Sequence, residues 1–236
     1  MKGLEKDCKT KINRKPLQQQ LQVLERICEE LFVSFLKLNS FFLNRFLSQT
    51  ENLKVFFTFE VAIYGAEGAG KSGLVLQYCP QFTPEYDPTI EEYYTKKILV
   101  DGLRLNFSFC DTKVAEYRAM LHPQMEIMQG FILVYSITSK DSFRIVKETR
   151  EDIARVKESQ QFPMVLVACK CELEGDREVT KQEGVDLAEK WGCPFFETSA
   201  RNCTNIEQAF QSIAKEVFKA HISHSQQDKG KRCEIF

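Results

Sequence analysis

The chain has 236 residues, a formal net charge of −1 and 43% hydrophobic residues. That length suits one sizeable α/β domain plus an appendage, and that hydrophobic content can fill its core. The near-zero charge excludes a global electrostatic pull towards nucleic acid, so no nucleic-acid partner is expected. Its nine cysteines are scattered, with no C-x-x-C pair and no histidine at metal spacing. They read as reduced thiols of a cytosolic protein, not as a disulfide framework.

Residues 1–54 form a first part that is Lys-rich, then Gln-rich, then Phe-rich. Its basic, polar start fits no secretory signal. Leu17, Leu21, Leu24, Cys28, Leu31, Phe35, Leu38 and Phe42 follow a 4-3-4-3 spacing, an a/d seam, with Glu25, Arg26, Glu29 and Glu30 on a polar flank. This predicts an N-terminal helical extension over 17–47. Three readings of it stand: a helix that meets a coiled-coil partner, a helix folded back on the rest of the chain, or, from Leu31 to Phe59, a segment poorly structured or not genuinely expressed. Lys37 and Arg45 interrupt an apolar run already too short to span a membrane.

Residues 55–220 alternate strand-like and helix-like segments. Val55–Tyr64 reads as an apolar strand and Gly70–Cys79 as a helix behind a Gly-rich loop. Tyr93–Val100 and Leu103–Cys110 read as strands joined by Asp101-Gly102, a strong hairpin signal. Phe131–Ile137 and Met164–Cys169 are short apolar runs, as buried strands require, with a helix at Ser139–Glu158 between them. Lys181–Trp191 is a further helix, Pro194–Glu197 a short strand, and Asn205–His221 an amphipathic closing helix. The alternation predicts an α/β fold: a mainly parallel six-stranded sheet with one antiparallel edge hairpin and helices on both faces.

The loop after the first strand carries the clearest chemistry. Gly65-Ala66-Glu67-Gly68-Ala69-Gly70-Lys71-Ser72, followed by Gly73, matches G-x-x-x-x-G-K-S between a strand and a helix, the P-loop of nucleotide-binding proteins. Glycines let backbone N–H groups wrap phosphate oxygens, and the helix N-terminus adds its dipole. Lys71 would neutralise the β- and γ-phosphates, and the Ser72 hydroxyl would bind Mg²⁺. Asp111, an acid at the end of an apolar strand, sits where a metal-binding carboxylate belongs.

Phe82-Thr83-Pro84-Glu85-Tyr86-Asp87-Pro88-Thr89-Ile90-Glu91-Glu92-Tyr93-Tyr94 resembles the first switch and effector loop of the Ras and Rap small GTPases. Asp111-Thr112 is similar to the start of their second switch. Pro163–Val167 and Glu197-Thr198-Ser199-Ala200 are similar to further Ras segments. The resemblance runs in order over about residues 60–220 and implies a ligand, GTP or GDP with Mg²⁺. It implies that Thr89 binds Mg²⁺ and reports the γ-phosphate, that Asp111 holds Mg²⁺ through a water, that Phe82 packs on the guanine and that Tyr86 lies over the phosphates. It also places Lys170, Glu172, Ser199, Ala200 and Arg201 around the base. It implies an effector surface of Tyr86, Asp87, Pro88, Thr89, Ile90, Glu91, Glu92 and Tyr94, which would meet Ras-binding domains.

Three departures from the family pattern bear on function. Glu67 stands where the family has Gly, and a carboxylate there repels the γ-phosphate unless it swings out into solvent. Like charges ~4 Å apart at an effective dielectric of ~20 cost several kcal/mol before Mg²⁺ and Lys71 offset them. After Asp111 the family reads Asp-Thr-Ala-Gly-Gln, whereas this chain reads Asp111-Thr112-Lys113-Val114-Ala115-Glu116-Tyr117. The water-orienting Gln and the γ-phosphate-sensing Gly are absent, so no confident catalytic residue remains and Glu116 is the only candidate substitute. The base-reading Asn-Lys-x-Asp is Cys169-Lys170-Cys171-Glu172. Each impaired hydrogen bond there costs ~1–3 kcal/mol, roughly 10- to 100-fold in affinity.

Residues 221–236 form a polar tail ending in Cys233-Glu234-Ile235-Phe236, a C-a-a-X pattern whose terminal Phe favours geranylgeranylation of Cys233. Lys229, Lys231 and Arg232 supply a second, electrostatic signal. The expected protein is a Ras-like signalling GTPase at the cytoplasmic face of a membrane, the plasma membrane first, with a cytosolic pool. It binds GTP with Mg²⁺ and hydrolyses it slowly or not at all. The rival expectation is a pseudo-GTPase scaffold that binds little or no nucleotide.

Overall fold

The computed structural model describes residues 58–79, 91–112 and 121–232, with the backbone alone for Glu91 and for 224–232. The chain divides into two compact units, Val55–His224 and the combination of Met1–Lys54 with Ser225–Phe236. The extension expected over 17–47 lies outside the described residues.

In chain order the elements are β1 (Thr58–Gly65), α1 (Lys71–Tyr78), β2 (Glu91–Val100), β3 (Leu103–Thr112), α2 (His122–Ile127) and β4 (Gly130–Ser136). Then follow α3 (Lys140–Val156), β5 (Met164–Cys169), a 3₁₀ turn (Glu174–Asp176), α4 (Lys181–Trp191), β6 (Phe195–Glu197) and α5 (Ile206–Arg232). The strands form one six-stranded sheet in the order β2-β3-β1-β4-β5-β6. Every neighbouring pair is parallel except β2–β3, the expected edge hairpin. Its turn has positive φ at both Asp101 (49°) and Gly102 (84°), as a type I′ turn demands.

Strands β4 and β5 are buried along their whole length, which is why they read as unbroken apolar runs. One sheet face packs α1 and α5, with Tyr78 stacked on Phe210 at 3.9 Å and both rings edge-on to Phe109. On the other face Tyr64, Leu133, Tyr135 and Leu166 of the sheet share a core with Met125 of α2, Phe143 of α3 and Leu187 of α4. Each large apolar side chain so buried contributes about 1.5–3 kcal/mol. Helix α3 starts at Ser139, whose hydroxyl accepts from the Ser142 N–H at 3.2 Å. Helix α4 starts with a reciprocal capping box between Thr180 and Glu183 and stops at Gly192, φ 66°.

The parallel register brings the carboxyl ends of the strands to one edge. Ile63 pairs with Asp111, Gly65 with Val134, Ser136 with Cys169 and Ala168 with Glu197. In open α/β sheets that edge is where ligands bind.

Candidate nucleotide-binding site

The cradle begins where β1 ends. A Cβ on Gly65 would lie 2.1 Å from the Val134 carbonyl oxygen, so only glycine lets β1 turn away from β4 at this point. At the far end Gly70 has φ 109°, the left-handed region that glycine adopts freely, and it leads into α1. Between these ends Lys71 is buried and donates from Nζ to the Gly65 and Ala66 carbonyls, both at 3.0 Å. Burial pulls its ammonium below the usual lysine range, and the charges of Asp111, Glu67 and Cys169 work the other way. Glu67 is exposed, so its carboxylate faces solvent while its charge still reaches Lys71.

Ser72 donates from Oγ to Asp111 Oδ2 at 2.5 Å. A hydroxyl has one proton and two lone pairs. With the proton given to Asp111, the lone pairs are left to face a cation. Asp111 is fully buried at the end of β3, and a buried carboxylate beside a hydroxyl is a donor set for a hard divalent ion. Next to it, Thr112 donates from Oγ1 to the Ile63 carbonyl at 2.7 Å, which ties the end of β3 to β1.

The base-side loop leaves β5 at Cys169. The Cys169 side chain packs against Gly70, where an added Cβ would lie 3.0 Å from its Cβ and 3.4 Å from its Sγ. Its thiol pairs with Thr198 Oγ1 at 3.4 Å, and burial pushes it up to about 12. Lys170 holds a left-handed φ of 66°, a strained state for a non-glycine residue that concentrates at ligand sites. Glu172 has a buried Oε2 with no hydrogen-bond partner among the described residues. A buried acceptor in that state fits a ligand donor such as a guanine N–H. Ser199 is buried and accepts the Asn202 N–H at 3.0 Å, a Cβ added at Gly73 would lie 3.5 Å from the Ala200 Cβ, and Arg201 is exposed.

The structure therefore brings Gly65–Gly73, Asp111, Lys170, Glu172, Ser199 and Ala200 to one sheet edge. Phe82, Tyr86–Ile90, Glu116 and Cys233 lie outside the described residues, as does the side chain of Glu91. Three expected effector residues, Glu91, Glu92 and Tyr94, lie in β2. Tyr94 is buried and its hydroxyl donates to Glu92 Oε2 at 2.7 Å, so it packs under the strand, whereas its neighbour Tyr93 is 47% exposed. Two residues of consequence carry no recognisable signal of their own in the sequence: Thr198, which pairs with the Cys169 thiol, and Arg177, which bonds Glu174 and Glu197 and so fastens the base-side loop to β6. Only the Glu197-Thr198-Ser199-Ala200 run pointed towards the first, and nothing local pointed to the second.

Comparison with known proteins decides the family. A family model described as the Ras family matches residues 60–219. Ras-like protein 2 from Mucor circinelloides f. lusitanicus is 42% identical over 176 residues, covering 74% of this chain and 86% of that protein. The chain belongs to the Ras family. As a Ras-like small GTPase it carries the family's fold.

Proposed function

We propose that this Ras-family chain binds GTP with Mg²⁺, turns it over slowly or not at all, and acts mainly as a GTP-loaded binding module in signal transduction. The observation that carries the binding half is the hydrogen bond from Ser72 to Asp111 beside the buried Lys71. Those residues supply the charge and the oxygen ligands that a Mg²⁺–phosphate group needs, and the chemistry such a group supplies is polarisation of the γ-phosphate. The unpaired Oε2 of Glu172 favours guanine over other bases.

The slow half rests on what the chain lacks and adds. Val114 and Ala115 have no polar side-chain group to orient a water, and Glu67 sets a negative charge near Lys71. Effector domains of the Ras-binding type are the proposed partners, met through residues 86–92 and the exposed Tyr93. A prenyl group on Cys233, with Lys229, Lys231 and Arg232 beside it, is the proposed anchor to the cytoplasmic face of the plasma membrane, with a cytosolic pool.

Mass analysis of the nucleotide that co-purifies with the full chain tests the first half, with GTP as the expected ligand. A preparation free of nucleotide that fails to take up GTP would establish the scaffold reading instead. Single-turnover phosphate release tests the second half, and release at the rate of an ordinary Ras protein would sink it.

A further inference from the structure

Tyr94, Lys96, Ile98 and Val100 share one face of β2, paired with Phe109, Phe107, Leu105 and Leu103 of β3. Every member of that row except Lys96 is buried, and Lys96 alone carries a charge. A cation in an apolar row is costly unless it finds partners. Lys96 donates from Nζ to the Tyr78 carbonyl at 2.9 Å. The same nitrogen lies 3.4 Å from the centre of the Tyr78 ring and 3.7 Å from Glu207 Oε2 of α5. Tyr78 is the last residue of α1. That helix has eight residues, too few to persist on backbone bonds alone, and no basic residue in its last turn. Lys96 supplies from β2 the cation that a helix C-terminus favours, and it satisfies one terminal carbonyl.

The opposite end of α1 begins with Lys71 and Ser72, the residues assigned to phosphate and Mg²⁺. Along its side a Cβ added at Gly73 would lie 3.5 Å from the Ala200 Cβ, and Gln77 donates from Nε2 to Cys203 Sγ at 2.8 Å. Helix α1 is therefore a strut between the phosphate cradle and residues 199–203 on the base side. Residues 80–90 run from the end of α1 to β2 and include Phe82, Tyr86 and Thr89. One ammonium thus joins the helix that leads into that connection to the strand that leads out of it. Charge-assisted hydrogen bonds are roughly twice as strong as neutral ones, and a cation over an aromatic face adds to them. Glu207, with its side chain 61% exposed, contributes little by comparison.

We propose that Lys96 is a positioning residue for the nucleotide: by fastening the C-terminal end of α1 to β2 it keeps Lys71 and Ser72 seated on the phosphates and slows nucleotide release. It acts through α1, since its ammonium sits at the far end of that helix from Lys71. The inference rests on the guanine-nucleotide reading above and adds to it a residue that governs residence time.

Release of a fluorescent GDP from the full chain with Mg²⁺, chased by excess unlabelled GDP, tests it. Lys96→Met keeps the length of the stem and removes the cation. It is expected to speed release about tenfold and to leave the association rate within about twofold, because tethers of this kind act on dissociation. Lys96→Arg, which keeps charge and donors, is expected to retain slow release, and Glu207→Gln to change it by less than about twofold. If Lys96→Met fails to fold, Lys96→Gln decides by the same chase. Urea midpoints of the free and GDP-bound forms separate positioning from support of the fold: Lys96→Met is expected to lower the bound form more than the free one. Wild-type release rates in Lys96→Met would overturn the proposal, as would equal losses in the two midpoints. Lys96→Arg as fast as Lys96→Met would also overturn it, by showing that packing and not the cation sets release. Wild-type protein that takes up no GDP would sink the nucleotide reading together with this one, whereas binding with unaltered release sinks this one alone.

Discussion

Cys169 stands at the junction between the phosphate cradle and the base-side loop. At neutral pH its thiol stays protonated, since burial pushes it up to about 12. It meets Thr198 Oγ1 at 3.4 Å and offers Gly70 only van der Waals contact. An amide at this position has two donor hydrogens and an acceptor, and a carboxylate one methylene shorter at 172 restores the family's reach. Cys169→Asn and Glu172→Asp are each expected to tighten guanine nucleotide binding by about 10-fold or more, one recovered hydrogen bond apiece. Titration with a fluorescent GDP reads this directly, and unchanged affinity in both variants would refute it. The cradle itself was legible in the sequence because all its chemistry lies within one loop: Gly65, Gly70, Lys71 and Ser72 need no distant residue to be recognised. Thr198 was not, because a threonine acquires its role only once β5 and β6 are paired.

The same contrast holds among elements. Asp101-Gly102 announced its hairpin through local backbone preference, and β4 and β5 announced their burial through unbroken apolar runs. Helix α2 gave no such signal, since six residues with Pro123 in the first turn show no helical period. The 3₁₀ turn Glu174–Asp176 was equally silent, and what fixes it is long-range. Arg177 bonds Glu174 at 2.6 Å, Glu197 at 2.8 Å and the Val179 carbonyl at 3.0 Å. Its side chain is 14% exposed and that of Glu197 16%. Removing one partner of a fully buried pair costs about 3–5 kcal/mol, and this slightly wetter pair about 2–3. Arg177→Ala is expected to lower urea stability by that amount and to weaken nucleotide binding further, because the segment bearing Glu172 loses its fastening to β6. Equal losses in the free and liganded protein would show that Arg177 supports the fold alone.

On the scale of the whole molecule, burial holds several weak acids in their neutral form. Cys79 and Cys193 are pushed up to about 11 and Cys169 to about 12, from an ordinary value near 9. Tyr78, Tyr94 and Tyr135 are driven well above the usual tyrosine range, again chiefly by burial. In each case the unfolded chain releases its proton first. Their contribution to stability is therefore intact below about pH 9 and declines as pH climbs through the folded values. The urea midpoint is expected to be level from about pH 7 to 8.5 and to fall steadily above about pH 9, whereas a level profile through pH 11 would contradict this. Tyr94 belongs to that inner set, and its neighbour Tyr93 does not. Along β2 the inward positions 94, 98 and 100 are buried, while Tyr93, Thr95, Lys97 and Leu99 look outward. The edge of the sheet is thus written on two independent tracks. Substitutions on the outward track alter the surface this edge presents to solvent and leave the inward packing intact, so the two can vary independently.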